Sequence, residues 1–134
     1  MADTRLDGPE RPQFSPGRNI ALKMPPRDFL QAVAFYRDVL GFEQLSVDET
    51  SVTFKFGSMR LWIDRVPSLS QAETWLEVRT SDADAASEWL EAQGIDRCDA
   101  IEPLPEDFPG YWIAAPGGIV HLVHERISKP EQEG

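Results

Sequence analysis

Apolar residues recur along this chain with two different periods. Phe29, Val33, Tyr36 and Leu40 fall at spacings of four, three and four, with Ala32, Phe35 and Val39 beside them. Such a stripe predicts an amphipathic helix over 29–40 that packs on a core. Pro25-Pro26 ends whatever precedes it, Asp28 stands three residues before Gln31 as a capping pair, and Gly41 follows as the stop. A second helix is expected to start at Ser81-Asp82, with Ser81 and Asp84 at capping-box spacing, and to end before Gly94 with Ala86, Trp89 and Leu90 inside. Elsewhere the period is two. Ile20, Leu22 and Met24 alternate with Asn19, Ala21 and Lys23, and Thr74, Leu76 and Val78 alternate with Glu73, Trp75 and Glu77. Strands with one face toward the helices are the expectation. Segments 51–56 and 59–64, joined by Gly57-Ser58, read as a tight hairpin, and 111–114 leads through Pro116-Gly117-Gly118 into 119–124 as a looser one.

The first half maps onto the second at an offset of 54 residues: Met24 onto Val78, Asp28 onto Asp82, Ala32 onto Ala86 and Phe35 onto Trp89, with Gly41 onto Gly94 after one residue of slippage. A repeat of this size marks a duplicated supersecondary module. Two βαβββ modules, about 18–66 and 72–126, make one expected domain over 18–126. Residues 1–17 and 127–134 are polar and rich in Pro and Gly, so flexible tails are expected there. A length of 134 residues suits a single core. The formal net charge of −10 repels phosphate polymers and anionic lipid surfaces, which argues against nucleic-acid or membrane partners. The weakly charged stretch 111–123 is shorter than the roughly 20 apolar residues that span a bilayer. Cys98 is the single cysteine, and the N-terminus places acids and prolines where a signal peptide carries a basic flank and an apolar run. A cytoplasmic protein is expected.

The runs Asn19-Ile-Ala-Leu-Lys-Met-Pro, Ala34-Phe-Tyr-Arg-Asp-Val-Leu-Gly-Phe42, Leu76-Glu-Val-Arg and Pro116-Gly-Gly-Ile-Val-His-Leu-Val123 together resemble the vicinal oxygen chelate superfamily, which groups the glyoxalases, bleomycin-resistance proteins and extradiol dioxygenases. The resemblance implies an α+β fold in which two tandem βαβββ modules form a curved mixed sheet around a cavity, with helices on the convex face. It also implies a small-molecule ligand and a homodimer. It does not settle the reaction, because one fold hosts many sites.

Strand alternation sends Asn19, Ala21 and Lys23, then Arg60, Trp62 and Asp64, then Glu73, Trp75 and Glu77 to the face away from the helices. Trp62 and Trp75 could sandwich a flat or cationic ligand. Trp112, near the loop 107–110, could close the mouth of a cavity. Metal-dependent members of the superfamily hold their ion at four places that correspond here to Asn19, Trp62, Glu73 and His121. Trp62 offers a metal no lone pair and an amide oxygen is a poor zinc or iron ligand, though acceptable to harder cations, so Glu73 and His121 leave a catalytic set one ligand short unless Asp64 or Glu77 joins them. No cofactor is the expectation, with a divalent metal on Glu73 and His121 as the alternative. His121 faces the cavity if the last turn has the family's usual length; one residue more would send Leu122 and His124 there instead. Glu73, beside two indoles, is either a general base or a salt-bridge partner. Three readings remain: a metal-free binder of an aromatic or cationic molecule; an enzyme, either a metal-dependent lyase, isomerase or dioxygenase using Glu73 and His121 or a metal-free acid-base catalyst; and a scaffold or regulator that keeps only the fold and has a filled cavity. Ser68 and Ser70 lack a nucleophile-elbow context, and Cys98 lies between Asp96 and Asp99, which disfavours a thiolate.

Overall fold

The computed structural model describes residues 10–125. In chain order the elements are β1 (Phe14–Pro16), β2 (Asn19–Met24), α1 (Pro26–Ala34), β3 (Gln44–Val47), β4 (Ser51–Phe56), β5 (Met59–Arg65), β6 (Glu73–Thr80), α2 (Ala83–Ala92), β7 (Asp96–Arg97), β8 (Gly110–Ala115) and β9 (Ile119–Glu125). The fold is α+β. They group into two compact units, one of residues 18–76 and one in which the residues up to 17 join those from 77 onward. Among the described residues no helix is long and apolar enough to cross a membrane.

In the 18–76 unit the strand order is β3-β4-β5-β2-β6. β2 and β5 run parallel while the other pairs are antiparallel, which makes this sheet mixed. Alternation works as the pattern predicts. Ile20, Leu22 and Met24 from β2, Val52 and Phe54 from β4, and Leu61 and Ile63 from β5 pack against Phe29 and Val33 of α1. Phe54 and Ile63 are wholly buried, each contributing about 1.5–3 kcal/mol of transfer free energy. The β4–β5 hairpin closes at Phe56 and Met59 with Gly57 at φ 65, a conformation that favours glycine.

The first helix departs from expectation at both ends. Pro25 occupies the N-cap and Pro26 the first helical position, so Asp28 sits inside the first turn rather than capping it. Proline is suited there because its missing N–H would have had no partner. Beyond Ala34 the chain enters a π-helical turn, Phe35–Val39, in which the Leu40 N–H donates to the Phe35 carbonyl at 3.0 Å. The wider turn rotates the apolar stripe off the core. Phe29 and Val33 stay buried, whereas Phe35, Val39 and Leu40 are 44%, 71% and 44% exposed. Leu76, expected to face a helix, is likewise exposed.

In the other unit β1 and β9 flank β6, and β8 and β7 follow beyond β9. β1 pairs antiparallel with β6, Phe14 opposite Thr80, so part of the segment expected to be a flexible tail is sheet. The expected C-terminal tail, 127–134, lies outside the described residues. Asp82, not Ser81, caps α2: its Oδ1 accepts the Ala85 N–H at 3.0 Å, and Glu125 Oε2 accepts that of Ala83 at 3.0 Å. These two carboxylates satisfy amides that a helix start leaves open. The core here is Ala83, Tyr111, Ile113 and Val123, joined by Val78, Leu90 and Ile95. Tyr111 is anchored by its hydroxyl, which donates to the Ala83 carbonyl at 2.9 Å. Trp89 is half-buried outside that cluster.

Candidate functional site

Because Leu61, Ile63, Val52 and Phe54 face α1, the residues between them face the other way, and cross-strand neighbours share that open face. The pairing register arranges it in three rows. The first is Lys55, Arg60 and Asn19; the second is Ser46, Thr53, Trp62, Ala21 and Trp75; the third is Ser51, Asp64, Lys23 and Glu73. Asn19, Arg60, Trp62, Asp64, Glu73 and Trp75, all read from the sequence, therefore share one sheet face of this unit.

Hydrogen bonds fix most of that face. Trp62 Nε1 donates to Asn19 Oδ1 at 2.7 Å, and Trp75 Nε1 donates to Glu73 Oε1 at 2.8 Å. Lys23 Nζ lies 2.8 Å from Asp64 Oδ2 and 4.3 Å from the centre of the Trp75 ring. The second Asp64 oxygen accepts from Ser51 Oγ at 2.7 Å. Lys23 is almost fully buried at 4% exposure, and the carboxylate with the indole supplies the partners a buried ammonium requires. Trp75 is buried too, whereas Trp62 keeps a solvent-accessible part. Trp75 therefore packs against Lys23, and Trp62 is the indole within a ligand's reach.

Glu77, Trp112 and His121 belong to the other unit. Trp112 lies opposite Leu122 and Gly110 opposite His124, while His121 lies opposite Ile113. Ile113 is in the core with Val123, so His121 is on the α2 side of its sheet, and Leu122 and His124 are on the opposite side. The expected facing of His121 is thus corrected: in the register the turn at Pro116–Gly118 sets, β9 places Val123 in the core and His121, two residues away, on the same side. Its Nδ1 is 3.0 Å from the Ile119 carbonyl. His124 instead meets Glu77, Nε2 to Oε2 at 2.9 Å, with both side chains buried, and its Nδ1 is 2.9 Å from the Glu125 carbonyl. Trp112 is buried, its Nε1 donating to the Glu102 carbonyl at 2.9 Å, and so is a packed residue of its sheet. Phe108, from the loop expected at 107–110, stacks against the His124 ring at 5.6 Å. Burial, reinforced by the charge of Asp99, pushes the Cys98 thiol up.

The fold has solved counterparts. A Mn(II)-bound glyoxalase from Novosphingobium aromaticivorans superposes with a TM-score of 0.62 at 20% identity, covering 85% of this chain and 40% of that one. Homoprotocatechuate 2,3-dioxygenase from Arthrobacter globiformis gives 0.61 at 17% identity, covering 88% and 38%. A hypothetical protein from Bacillus halodurans gives 0.63 at 10% identity, covering 89% and 99%. No family model and no curated protein sequence matches. The chain has a vicinal-oxygen-chelate-like fold. It spans well under half the length of the glyoxalase and the dioxygenase.

The residues at the places that hold metal in that superfamily do not fit an ion. Asn19 Oδ1 accepts the Trp62 indole N–H, Trp62 has no lone pair to give, and Glu73 Oε1 accepts the Trp75 indole N–H. His121 faces α2, and the neighbour that replaces it on the opposite side is Leu122. Among the described residues no three His, Cys, Asp or Glu side chains gather as a ligand set. Sequence reasoning left Ser51, Thr53, Lys55 and the contact between His124 and Glu77 out of the site. A signal for the first three was available, since a two-residue hairpin link fixes which β4 residue faces which on β5.

Proposed function

We propose that the chain binds a small aromatic molecule on the open sheet face of the 18–76 unit, with Trp62 as the contact platform and without a catalytic metal. One observation carries the reading: Trp62 is tethered by its bond to Asn19, keeps accessible surface, and is flanked by Arg60 and Asp64 on its own strand. A fixed aromatic face with polar groups at its ends is the usual composition of a small-molecule site. A cation stacked on Trp75 is disfavoured, since Lys23 occupies that ring.

Naphthalene-2-carboxamide is a suitable neutral probe. It is expected to quench tryptophan fluorescence saturably in the natural chain and to bind at least tenfold more weakly to Trp62→Phe. Quenching that never saturates, or that is indifferent to that substitution, would sink the reading. The likeness to a Mn(II)-bound glyoxalase favours a second reading, a metal-dependent lyase, isomerase or dioxygenase, whose ligands would not be the Glu73 and His121 read from the sequence, since His121 faces α2. Elemental analysis of protein purified without chelator separates the two: stoichiometric manganese, iron, nickel or zinc supports the second and overturns the first. A homodimer belongs to the same proposal, with light scattering at the mass of one chain across a concentration series as the contrary result.

A further inference from the structure

Charge is unevenly matched along the open face of the 18–76 unit. In the third row, Lys23 and Asp64 neutralise each other at 2.8 Å, and Ser51 takes the spare carboxylate oxygen. In the first row Lys55 and Arg60 stand directly opposite each other on β4 and β5. Both are exposed, and neither side chain makes an ion pair or hydrogen bond among the described residues. Glu43, whose carbonyl takes the Lys55 backbone N–H at 2.9 Å, forms no ion pair with its ammonium. The third member of the row, Asn19, has its amide oxygen engaged by Trp62.

Two like charges directly opposite across a strand pair destabilise the sheet slightly. In a chain whose acids outnumber its bases 23 to 13, an acidic partner would be easy to supply. Nor does the fold require cations there. The hairpin of the other unit repeats this one 60 residues later, where Val120 stands in the place of Arg60 and its cross-strand partner is Ala114.

The geometry points to a ligand that is an aromatic anion, its ring on Trp62 and its carboxylate, sulfonate or phenolate between Lys55 and Arg60. This rests on the proposed binding face and adds the charge of what binds. Arg60 and Trp62 are two apart on β5 and so project from the same side, which places the guanidinium one row from the indole. An anion there lowers the mutual repulsion of the two bases and gains charge-assisted hydrogen bonds from both.

Three naphthalenes of similar size, the first two also alike in shape, test the charge: naphthalene-2-carboxylate, naphthalene-2-carboxamide and 2-naphthylmethylammonium, titrated by tryptophan quenching and by calorimetry. The carboxylate is expected to bind about tenfold more tightly than the amide, the size of a single partly exposed charge-assisted contact, and the ammonium more weakly than either. In the double variant Lys55→Gln, Arg60→Gln the preference should fall to within about twofold, and added salt should erode it in the natural chain. Both positions are exposed and their like charges oppose each other, so the variant is expected to melt no lower than the natural chain. Equal affinity for carboxylate and amide, a preference for the ammonium, or a preference unchanged in the double variant would overturn the charge assignment and leave the binding face standing. Failure of all three probes to bind would overturn the binding face itself, and this inference with it.

Discussion

In the 18–76 unit, Lys23 of β2 reaches Asp64 of β5 at 2.8 Å. Fifty-four residues after Lys23 comes Glu77 on β6, and sixty after Asp64 comes His124 on β9; these two meet at 2.9 Å. The same buried contact exists in both units with the places of its acidic and its basic residue exchanged. What the duplicated backbone preserves is the proximity of two side chains that must satisfy each other out of water, whichever of them is the acid. The rows around the contact have diverged further. Trp62 corresponds to Leu122, Thr53 to Trp112, Arg60 to Val120 and Lys55 to Ala114. One unit carries a polar, cationic row beside an indole where the corresponding positions of the other are apolar, which is why the proposed ligand surface lies in the 18–76 unit.

The largest expected effect separates the two cores. Phe54, wholly buried opposite Leu61, corresponds to Ile113 opposite His121. Phe54→Ala should cost about 3–5 kcal/mol in urea unfolding. Ile113→Ala should stay near 2 kcal/mol, roughly the low end for such truncations, because a half-exposed histidine borders its site. Equal losses would mean that the two cores are equivalent.

The two buried contacts give the next contrast. Asp64→Asn leaves the Lys23 ammonium, 5% exposed at its side chain, without its counter-charge, at a cost of about 3 kcal/mol. Glu77→Gln keeps a side-chain amide within reach of His124 Nε2, so only about 1 kcal/mol is expected, the size of one exchanged hydrogen bond. Denaturant midpoints of the two variants at neutral pH compare them directly. A Glu77→Gln loss as large as that of Asp64→Asn would show that the amide does not replace the carboxylate as the partner of His124.

The sequence pattern disclosed this architecture where a period ran uninterrupted. Alternation in β2, β5 and β6 placed Asn19, Arg60, Trp62, Asp64, Glu73 and Trp75 on one face because a strand allows only two phases. The helix stripe misled beyond Ala34, since a π-helical turn adds a residue per turn and leaves no mark in apolar spacing. His121 was misplaced for a related reason: a strand's phase depends on the length of the turn before it, and Pro116-Gly117-Gly118 admits more than one. The internal repeat could have corrected that, because His121 falls sixty residues after Leu61, a core position. That Trp75 is filled by Lys23 was not legible, since it depends on a lysine from a neighbouring strand bending over the ring.

The smallest expected effect sets the units apart by alkaline pH. Burial pushes the Tyr111 hydroxyl up despite the nearby Arg97 guanidinium, and burial with the charge of Asp99 pushes the Cys98 thiol up. Both lie in the unit built around α2. A group that holds its proton more tightly when folded adds stability below its unfolded pKa, and that stability is lost as pH rises toward the folded value. The thiol titrates first, so from roughly pH 8 upward, near the ordinary thiol range, amide exchange corrected for its intrinsic base catalysis should quicken in β8, β9 and α2 before it does in β4 and β5. Cys98→Ser removes the thiol and should flatten the onset of that acceleration while leaving the steeper rise toward the tyrosine range. If the onset keeps its slope in Cys98→Ser, the alkaline weakness belongs to some other group, and burial of the thiol has no part in it.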